Sequence, residues 1–260
     1  MENITLILSD LDGTLFHDDK SISAYTKEVI KKTQDKGILF GISTSRALSN
    51  ASKFIEGINP DILIMNGGGT ASVNSNRVYS CEFSVEEINT LIKSTFEILG
   101  NDAVISVDND KGLYSNSREE LGDKFWTFCD FSDFDERAMK MCVKTQDKDV
   151  VTKIVSSIGI EKIDALPFSD IPWFKLSKKN ATKENAIAAV CEHLGILPER
   201  IVAFGDDYND IGMLKLCGKG VAMKNAIDEV RKIADEICLS NEEDGVADWI
   251  EKHILLCSLN

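Results

Sequence analysis

An apolar strand that ends in two carboxylates is the feature that most constrains the fold of this chain. Residues Ile4–Leu8 are apolar apart from Thr5, and the sequence Asp-Leu-Asp-Gly-Thr follows at Asp10–Thr14. A run of this kind is typical of a buried strand in a parallel sheet. Open α/β sheets place their binding and catalytic groups at the carboxyl ends of such strands. The sequence therefore predicts a functional site around Asp10 and Asp12.

Further strands alternate with helices in the first and last thirds of the chain. The apolar runs Ile38–Ile42 and Ile201–Phe204 read as strands, and helical periodicity extends over Ser23–Lys36 and Thr182–Leu194. Strand–helix–strand alternation implies parallel pairing with right-handed crossovers. We therefore predict an α/β fold with a parallel sheet.

The middle of the chain has a different rhythm. A helix predicted at Val85–Leu99 is followed by short strands and by a second helix at Asp147–Ile158. This α+β pattern predicts a domain inserted into the α/β domain, with boundaries near Phe83 and Ser177. The predicted domains are therefore residues 1–83 with 178–260, and residues 84–177.

Composition argues against several classes of partner. The formal net charge is −14, from 29 basic and 43 acidic residues, and no cluster of Lys and Arg indicates nucleic-acid binding. The longest apolar runs have four to six residues, too few to span a membrane. With no signal-peptide pattern and seven cysteines that never form Cys-x-x-Cys, we expect a cytoplasmic protein with reduced thiols. No pattern indicates an oligomeric state.

Acidic residues follow two of the predicted strands. The strands end in Asp10, Thr44 and Asp206, and parallel neighbours would bring these ends into one crevice. The carboxylates of that crevice would be Asp10, Asp12, Asp206, Asp207 and Asp210. Like charges about 4 Å apart repel by roughly 4 kcal/mol at an effective dielectric constant near 20. Such a group stays partly protonated or binds a cation, and oxygen donors without His or Cys favour Mg²⁺ over zinc.

Four motifs in this order resemble the signatures of the haloacid dehalogenase-like hydrolase superfamily, in particular its Cof-type phosphatases. They are Asp-x-Asp-Gly-Thr at Asp10–Thr14, Thr44 at a strand end, Lys183 opening a helix, and Gly-Asp-x-x-Asn-Asp at Gly205–Asp210. Two later stretches, at 220–226 and 243–246, also resemble Cof-type segments. The resemblance implies a Rossmann-like core with a parallel sheet and an inserted α+β cap domain.

The resemblance also implies a role for each motif residue. Asp10 would be the nucleophile that forms an aspartyl-phosphate, and Asp12 would act as acid and then as base. The groups expected to bind phosphate are the backbone around Gly13, Thr44, Lys183 and Asn209. The expected Mg²⁺ ligands are Asp10, the backbone carbonyl of Asp12, Asp206, and Asp210 directly or through water.

The implied function is Mg²⁺-dependent hydrolysis of a small phosphate ester, such as a sugar phosphate, by a phosphoric monoester hydrolase. Two alternatives remain open. A phosphomutase would use the same two aspartates and return the phosphoryl group to its substrate, and a binding protein would use the scaffold without catalysis. The chain departs from the family pattern at Ser45 and Asn180, where the family usually or often has Gly.

Single residues within the motifs also have local interpretations. A helix is predicted at about Leu48–Glu56, and Thr44 fits an N-cap of the helix that follows the β-type residues Ile38–Ile42. The segment Gly67–Gly69 fits either a phosphate cradle or a turn of the chain. Asp207 fits a polar neighbour of the site better than a metal ligand.

Overall fold

The chain divides into two compact units in a computed structural model that describes residues 4–117, 126–168 and 171–256. Unit 1 comprises Met1–Ser80 and Thr182–Asn260, and unit 2 comprises Cys81–Ala181. In the described ranges, no helix is both long and apolar enough to cross a membrane.

The described residues form the following elements. The strands are β1 (Leu6–Ser9), β2 (Leu39–Ser43), β3 (Ile62–Met65), β4 (Thr70–Val73), β5 (Asn76–Ser80), β6 (Ile105–Asp108), β7 (Leu113–Ser115), β8 (Thr127–Phe128), β9 (Lys140–Lys144), β10 (Ile163–Pro167), β11 (Trp173–Lys178), β12 (Ile201–Gly205), β13 (Lys219–Ala222) and β14 (Glu236–Ile237). The helices are α1 (Ala24–Asp35), α2 (Leu48–Ala51), α3 (Val85–Leu99), α4 (Lys148–Ser156), α5 (Lys183–Leu194), α6 (Ile211–Leu216), α7 (Asp228–Ile233) and α8 (Gly245–Ile250).

Unit 1 is built on an eight-stranded sheet in the order β14-β13-β12-β1-β2-β3-β4-β5. The strands from β14 to β3 run parallel, and β4 and β5 complete the sheet as an antiparallel hairpin. The chain leaves β1 toward β2 and later returns on the other side as β12. This reversal puts the topological switch point between β1 and β12, where open α/β sheets bind ligands. The predicted α/β class with a parallel sheet is confirmed.

The central strand β1 shows why its sequence is apolar at successive positions. Leu6, Ile7 and Leu8 are all fully buried. Because successive strand residues point to opposite faces, this pattern requires both faces of the sheet to be covered at β1. The helices α1 and α5 contribute to unit 1, with α1 packing against β2 and α8, and α5 against α6, β4 and β5.

One helix prediction in unit 1 is wrong. The segment predicted as a helix at Leu48–Glu56 is helical only in α2, which ends at Ala51. Ala47 occupies its N-cap position without a side-chain cap, so Thr44 does not cap this helix. The residues after Ala51 include Ser52 and end at Gly57, both poor helix formers, and the chain makes turns there instead.

Unit 2 contains a six-stranded sheet in the order β10-β11-β9-β6-β7-β8. All neighbouring strands are antiparallel except β7 and β8. The helix α3 begins with a capping box between Ser84 and Glu87 and packs against α4. The sequence pattern alone does not predict β9, because Lys140 and Lys144 enclose only three apolar residues. Pairing with β6 and β11 stabilises this strand.

The packing of β12 generates a stability prediction. Phe204 is fully buried and contacts Trp249 edge-to-face, with ring centroids 5.3 Å apart. We expect Phe204→Ala to lower the free energy of unfolding by about 3–5 kcal/mol, measured by urea unfolding, because the change leaves a cavity. The control is Ile237→Ala in β14, where the side chain is 55% exposed and the expected change is within about 0.5 kcal/mol. Equal stability of the two variants would contradict the prediction.

Candidate active site

The carboxyl ends of three neighbouring strands meet at one edge of the unit 1 sheet. Asp10 follows β1, Thr44 follows β2 and Asp206 follows β12, and these three strands are adjacent and parallel. The backbone N–H of Asp10 donates to the Phe204 carbonyl at 3.0 Å, and that of Thr44 donates to the Ile64 carbonyl at 2.9 Å. The backbone hydrogen bonding of the sheet therefore continues through Asp10 and Thr44 and fixes where these two residues lie.

Three carboxylates form a compact group at this edge. Asp10, Asp206 and Asp210 each offer one oxygen, and these oxygens all lie within 4.8 Å of one another. Asp210 belongs to the 3₁₀ turn Tyr208–Asp210 and is buried. Its Oδ2 accepts the N–H groups of Asp206 at 2.9 Å and Asp207 at 3.1 Å. The backbone of the turn after β12 therefore holds the Asp210 carboxylate in place.

Lys183 joins two members of this carboxylate group. Its Nζ donates to Oδ1 of Asp10 at 2.7 Å and to Oδ1 of Asp210 at 2.6 Å, and its side chain is only 2% exposed. Lys183 is the first residue of α5, whose N-cap Thr182 accepts the N–H of Asn185 at 3.3 Å. The start of α5 thus delivers a buried ammonium to the acidic group.

Gly68 brings another loop against the start of α5. Its φ of +94° suits glycine, and a Cβ at this position would clash with the Thr182 carbonyl and crowd the Lys183 N–H. The loop Gly67–Gly69, which connects β3 to β4, therefore packs on the backbone that carries Lys183. The segment forms a turn of the chain, which is one of its two interpretations.

Burial and charge give this group unusual protonation behaviour. Burial raises the pKa of Asp10 to about 7, opposed by Lys183 and reinforced by Asp210. Burial also raises the pKa of Asp206 to about 6, opposed by a hydrogen bond from Thr14. Burial disfavours the Lys183 ammonium, but Asp10 and Asp210 outweigh it and raise the Lys183 pKa. The site combines the one ammonium of Lys183 with three carboxylates, so it carries excess negative charge when all three carboxylates are ionised.

The donor set fits a hard divalent cation. All three members of the group are carboxylates, and oxygen is the donor that Mg²⁺ prefers. Three side-chain ligands leave room in an octahedral shell for water or phosphate oxygens, which is how proteins usually bind Mg²⁺. The excess negative charge of the group favours such an ion. Asp10, Asp206 and Asp210 are therefore a chemically suitable site.

The loop after β1 packs against Asp206 through Gly13. Residues Leu11–Leu15 form a turn whose backbone is not helical at Asp12 and Gly13, and Gly13 has a φ of +76°. A Cβ at Gly13 would clash with the Asp206 carboxylate. The Thr14 hydroxyl donates to Asp206 Oδ1 at 2.7 Å. The Asn225 side chain donates to the Gly13 carbonyl at 2.7 Å. The residues Gly-Thr of the first motif therefore bring its loop into contact with the fourth motif.

Asp12 occupies a different electrostatic environment from Asp10. Arg46 donates to both of its carboxylate oxygens, from Nε at 2.6 Å and from Nη2 at 2.7 Å. The Lys20 ammonium lies 3.0 Å from Oδ1. Burial would raise the Asp12 pKa, but hydrogen bonds from Arg46 and Lys20 outweigh it and lower that pKa. The two carboxylates of Asp-x-Asp are therefore shifted in opposite directions.

The remaining sequence-predicted residues lie at the same edge with other contacts. Thr44 is buried, and its Oγ1 accepts the Arg46 N–H at 3.2 Å. Asn209 is exposed in the turn after β12. Asp207 is also exposed, its Oδ1 accepts the Tyr208 N–H at 2.7 Å, and it is outside the described carboxylate group.

Sequence reasoning assigned no role to Arg46 or Lys20. Arg46 stands two residues after Thr44 in the second motif, which is a signal that could have drawn attention to it. Lys20 belongs to no motif, and only the folded chain brings it to Asp12.

Comparisons with known proteins agree with the fold and with the motifs. A family model described as haloacid dehalogenase-like hydrolase matches residues 7–250. A 5-amino-6-(5-phospho-D-ribitylamino)uracil phosphatase of Bacillus subtilis is 29% identical, over 96% of this chain and 98% of its own. The phosphoglycolate phosphatase of Methanopyrus kandleri is 28% identical, over 95% of this chain and 96% of its own.

A solved structure shows the same fold. The crystal structure of a haloacid dehalogenase-like hydrolase from Bacteroides thetaiotaomicron has a TM-score of 0.80 and 25% identity, covering 95% of this chain and 98% of that one. The family model spans nearly the whole chain and includes all four motifs. The resemblance inferred from those motifs is confirmed, and with it the predicted hydrolase class. This chain belongs to the haloacid dehalogenase-like hydrolase family.

Proposed function

We propose that this protein is a Mg²⁺-dependent phosphatase that hydrolyses a small phosphorylated metabolite, such as a sugar phosphate, through an aspartyl-phosphate. The observation that carries the proposal is the pairing of buried Asp10 with Lys183 inside a group of three carboxylates at a strand end. Both curated relatives described above are named as phosphatases of small phosphate esters. These names support the substrate class.

Asp10 is the proposed nucleophile. Its carboxylate oxygen would attack phosphorus, the ester P–O bond would break, and the departing alcohol oxygen would take a proton from Asp12. Water would then attack the aspartyl-phosphate and give a proton to Asp12, releasing inorganic phosphate and the Asp10 carboxylate. Without substrate, Arg46 and Lys20 favour ionised Asp12. An anionic substrate adds negative charge at this edge, which favours the protonated acid.

The other site residues would bind the phosphoryl group and the cation. Protonated Lys183 partly neutralises Asp10 and, with Thr44, Asn209 and the backbone around Gly13, is proposed to bind the phosphoryl oxygens. The carboxylates of Asp10, Asp206 and Asp210 and the backbone carbonyl of Asp12 would hold Mg²⁺. When bound, that ion supplies positive charge that reduces repulsion between an anionic substrate and an anionic nucleophile. We further propose that residues 1–83 and 178–260 carry the chemistry and that residues 84–177, as a cap, select the substrate.

Replacing the proposed nucleophile tests the function directly. We expect Asp10→Asn to reduce Mg²⁺-dependent phosphate release by more than about 10³-fold, because the amide cannot form the aspartyl-phosphate. Release is measured on a panel of sugar phosphates, phosphoglycolate and 4-nitrophenyl phosphate. The matched control is Asp207→Asn, an exposed neighbour whose bond to the Tyr208 N–H an amide oxygen can also make. Its activity should stay near that of the unaltered protein.

Three outcomes would contradict the proposal. Activity that survives Asp10→Asn would remove Asp10 as nucleophile. Absence of phosphate release from every ester would argue for the binding protein. Transfer of phosphate between positions of the substrate, without release of inorganic phosphate, would argue for the phosphomutase.

The stabilisation of the protein by Mg²⁺ should depend on pH. The pKa values of Asp10 and Asp206 are raised from 3.8 to about 7 and about 6, so folding favours their protonated forms. Their stabilising contribution is complete below the unfolded value and is lost as the pH rises through the folded values. We therefore expect Mg²⁺ at about 10 mM to raise the Tm more at about pH 8 than at about pH 5.5, measured by differential scanning fluorimetry.

Two variants separate cation binding from turnover. Asp206→Ala should reduce both the Mg²⁺-induced rise in Tm and the activity, since Asp206 is a proposed ligand. Asp12→Ala should impair turnover and keep most of the rise in Tm, since its side chain lies with Arg46 and Lys20. Equal Mg²⁺ shifts at the two pH values, or an unchanged shift in Asp206→Ala, would contradict this assignment.

A further inference from the structure

Arg46 makes the most extensive described contact with a proposed acid–base residue. Its Nε and Nη2 donate to the two separate oxygens of Asp12, at 2.6 and 2.7 Å. A guanidinium that binds both oxygens fixes the plane of a carboxylate, whereas a point charge fixes only a distance. The rotation of the Asp12 carboxyl group is therefore restricted by Arg46.

Arg46 is itself held by aromatic rings. Its guanidinium carbon lies 5.6 Å from the ring centroid of Phe16 and 5.2 Å from that of Phe54, and these two rings contact each other at 5.8 Å. Cations are attracted to aromatic faces at such distances. Phe16 is fully buried, so the support is part of the unit 1 core. The guanidinium is thus positioned before any substrate arrives.

The backbone around Arg46 adds a second constraint. The Arg46 N–H donates to Thr44 Oγ1 at 3.2 Å, and the Arg46 carbonyl accepts the Asn66 N–H at 2.9 Å. The residue is therefore tied to the end of β2 and to the end of β3. Its side chain is 23% exposed, so its contact with Asp12 is made at the surface of the site.

We propose that Arg46 is a positioning residue for Asp12, which aims the Asp12 carboxyl group at the leaving-group oxygen. This inference rests on the proposed phosphatase function. Arg46 acts through Asp12 and does not bind the phosphoryl group. Arg46 therefore matters most for substrates whose leaving group needs a proton.

The experiment compares two esters that differ in that need. The alcohol of an alkyl phosphate, for example glycerol phosphate, departs as a basic alkoxide unless its oxygen is protonated, whereas the 4-nitrophenolate of 4-nitrophenyl phosphate departs without a proton. Arg46→Lys keeps the charge and loses the two-point contact. We expect it to lower kcat/KM for the alkyl ester by about 10²-fold and for the aryl ester by only about 3-fold. The ratio kcat/KM isolates the first half-reaction, in which the leaving group departs.

Two further variants complete the test. Phe54→Leu removes one supporting ring. It should also lower kcat/KM more for the alkyl ester than for the aryl ester, by a smaller factor than Arg46→Lys. This variant keeps the proposal testable if Arg46→Lys folds poorly. Lys53→Gln is the matched control, because the Lys53 ammonium lies 4.7 Å from the centroid of the same Phe54 ring. Lys53→Gln should leave kcat/KM for both esters near the values of the unaltered protein.

Other outcomes would overturn the inference. An equal loss of kcat/KM on both esters in Arg46→Lys would show that Arg46 binds the phosphoryl group, and no loss on either would show that it does not position Asp12. Failure of the proposed function itself is seen separately, since the unaltered protein would then release phosphate from neither ester or Asp10→Asn would remain active.

Discussion

The structure of the site depends on the contact of one buried ammonium, that of Lys183, with Asp10 and Asp210. A charge this deeply buried is costly unless it is paired and hydrogen-bonded, and removing one partner of a buried pair typically destabilises by about 3–5 kcal/mol. The contact joins the end of β1, the turn after β12 and the start of α5. The backbone of α5 is in turn packed against Gly68. Correct folding of four separate segments is thus required to form one hydrogen-bonded centre.

That centre explains how two aspartates of one motif acquire different properties. Asp10 ends the strand and lies in the buried acidic group, while Asp12 lies in the turn beyond it and meets Arg46 and Lys20. Their pKa values move in opposite directions because one carboxylate is buried beside other carboxylates and the other is paired with two cations. Without substrate and cation these directions are the reverse of those that the proposed roles require, because a nucleophile acts ionised and an acid acts protonated. A bound cation would lower the pKa of Asp10, and an anionic substrate would raise that of Asp12.

Local sequence patterns predicted the elements, and long-range contacts explain what they missed. Apolar runs at β1 and β12 and the α3 periodicity specify their own structure, so their positions could be read directly. The pairing of Arg46 with Asp12 spans 34 residues and that of Lys183 with Asp10 spans 173. No local rule predicts such pairs. The resemblance to the family identified Lys183 as a site residue. Lys20 belongs to no motif, and its contact with Asp12 is recognised only in the folded chain.

One of the two C-terminal segments that resemble Cof-type sequences, residues 220–226, contacts the first motif directly. Asn225 donates to the Gly13 carbonyl and accepts the Asn241 N–H, and the Asn241 side chain donates to the Phe16 carbonyl at 3.0 Å. Two side-chain amides from the C-terminal part of unit 1 therefore bind the carbonyl after Asp12 and the carbonyl that follows the Leu11–Leu15 turn. The Phe16 ring in turn lies 5.6 Å, centroid to guanidinium carbon, from Arg46. The position of Asp12 consequently depends on contacts between residues from the start and from the C-terminal part of the chain.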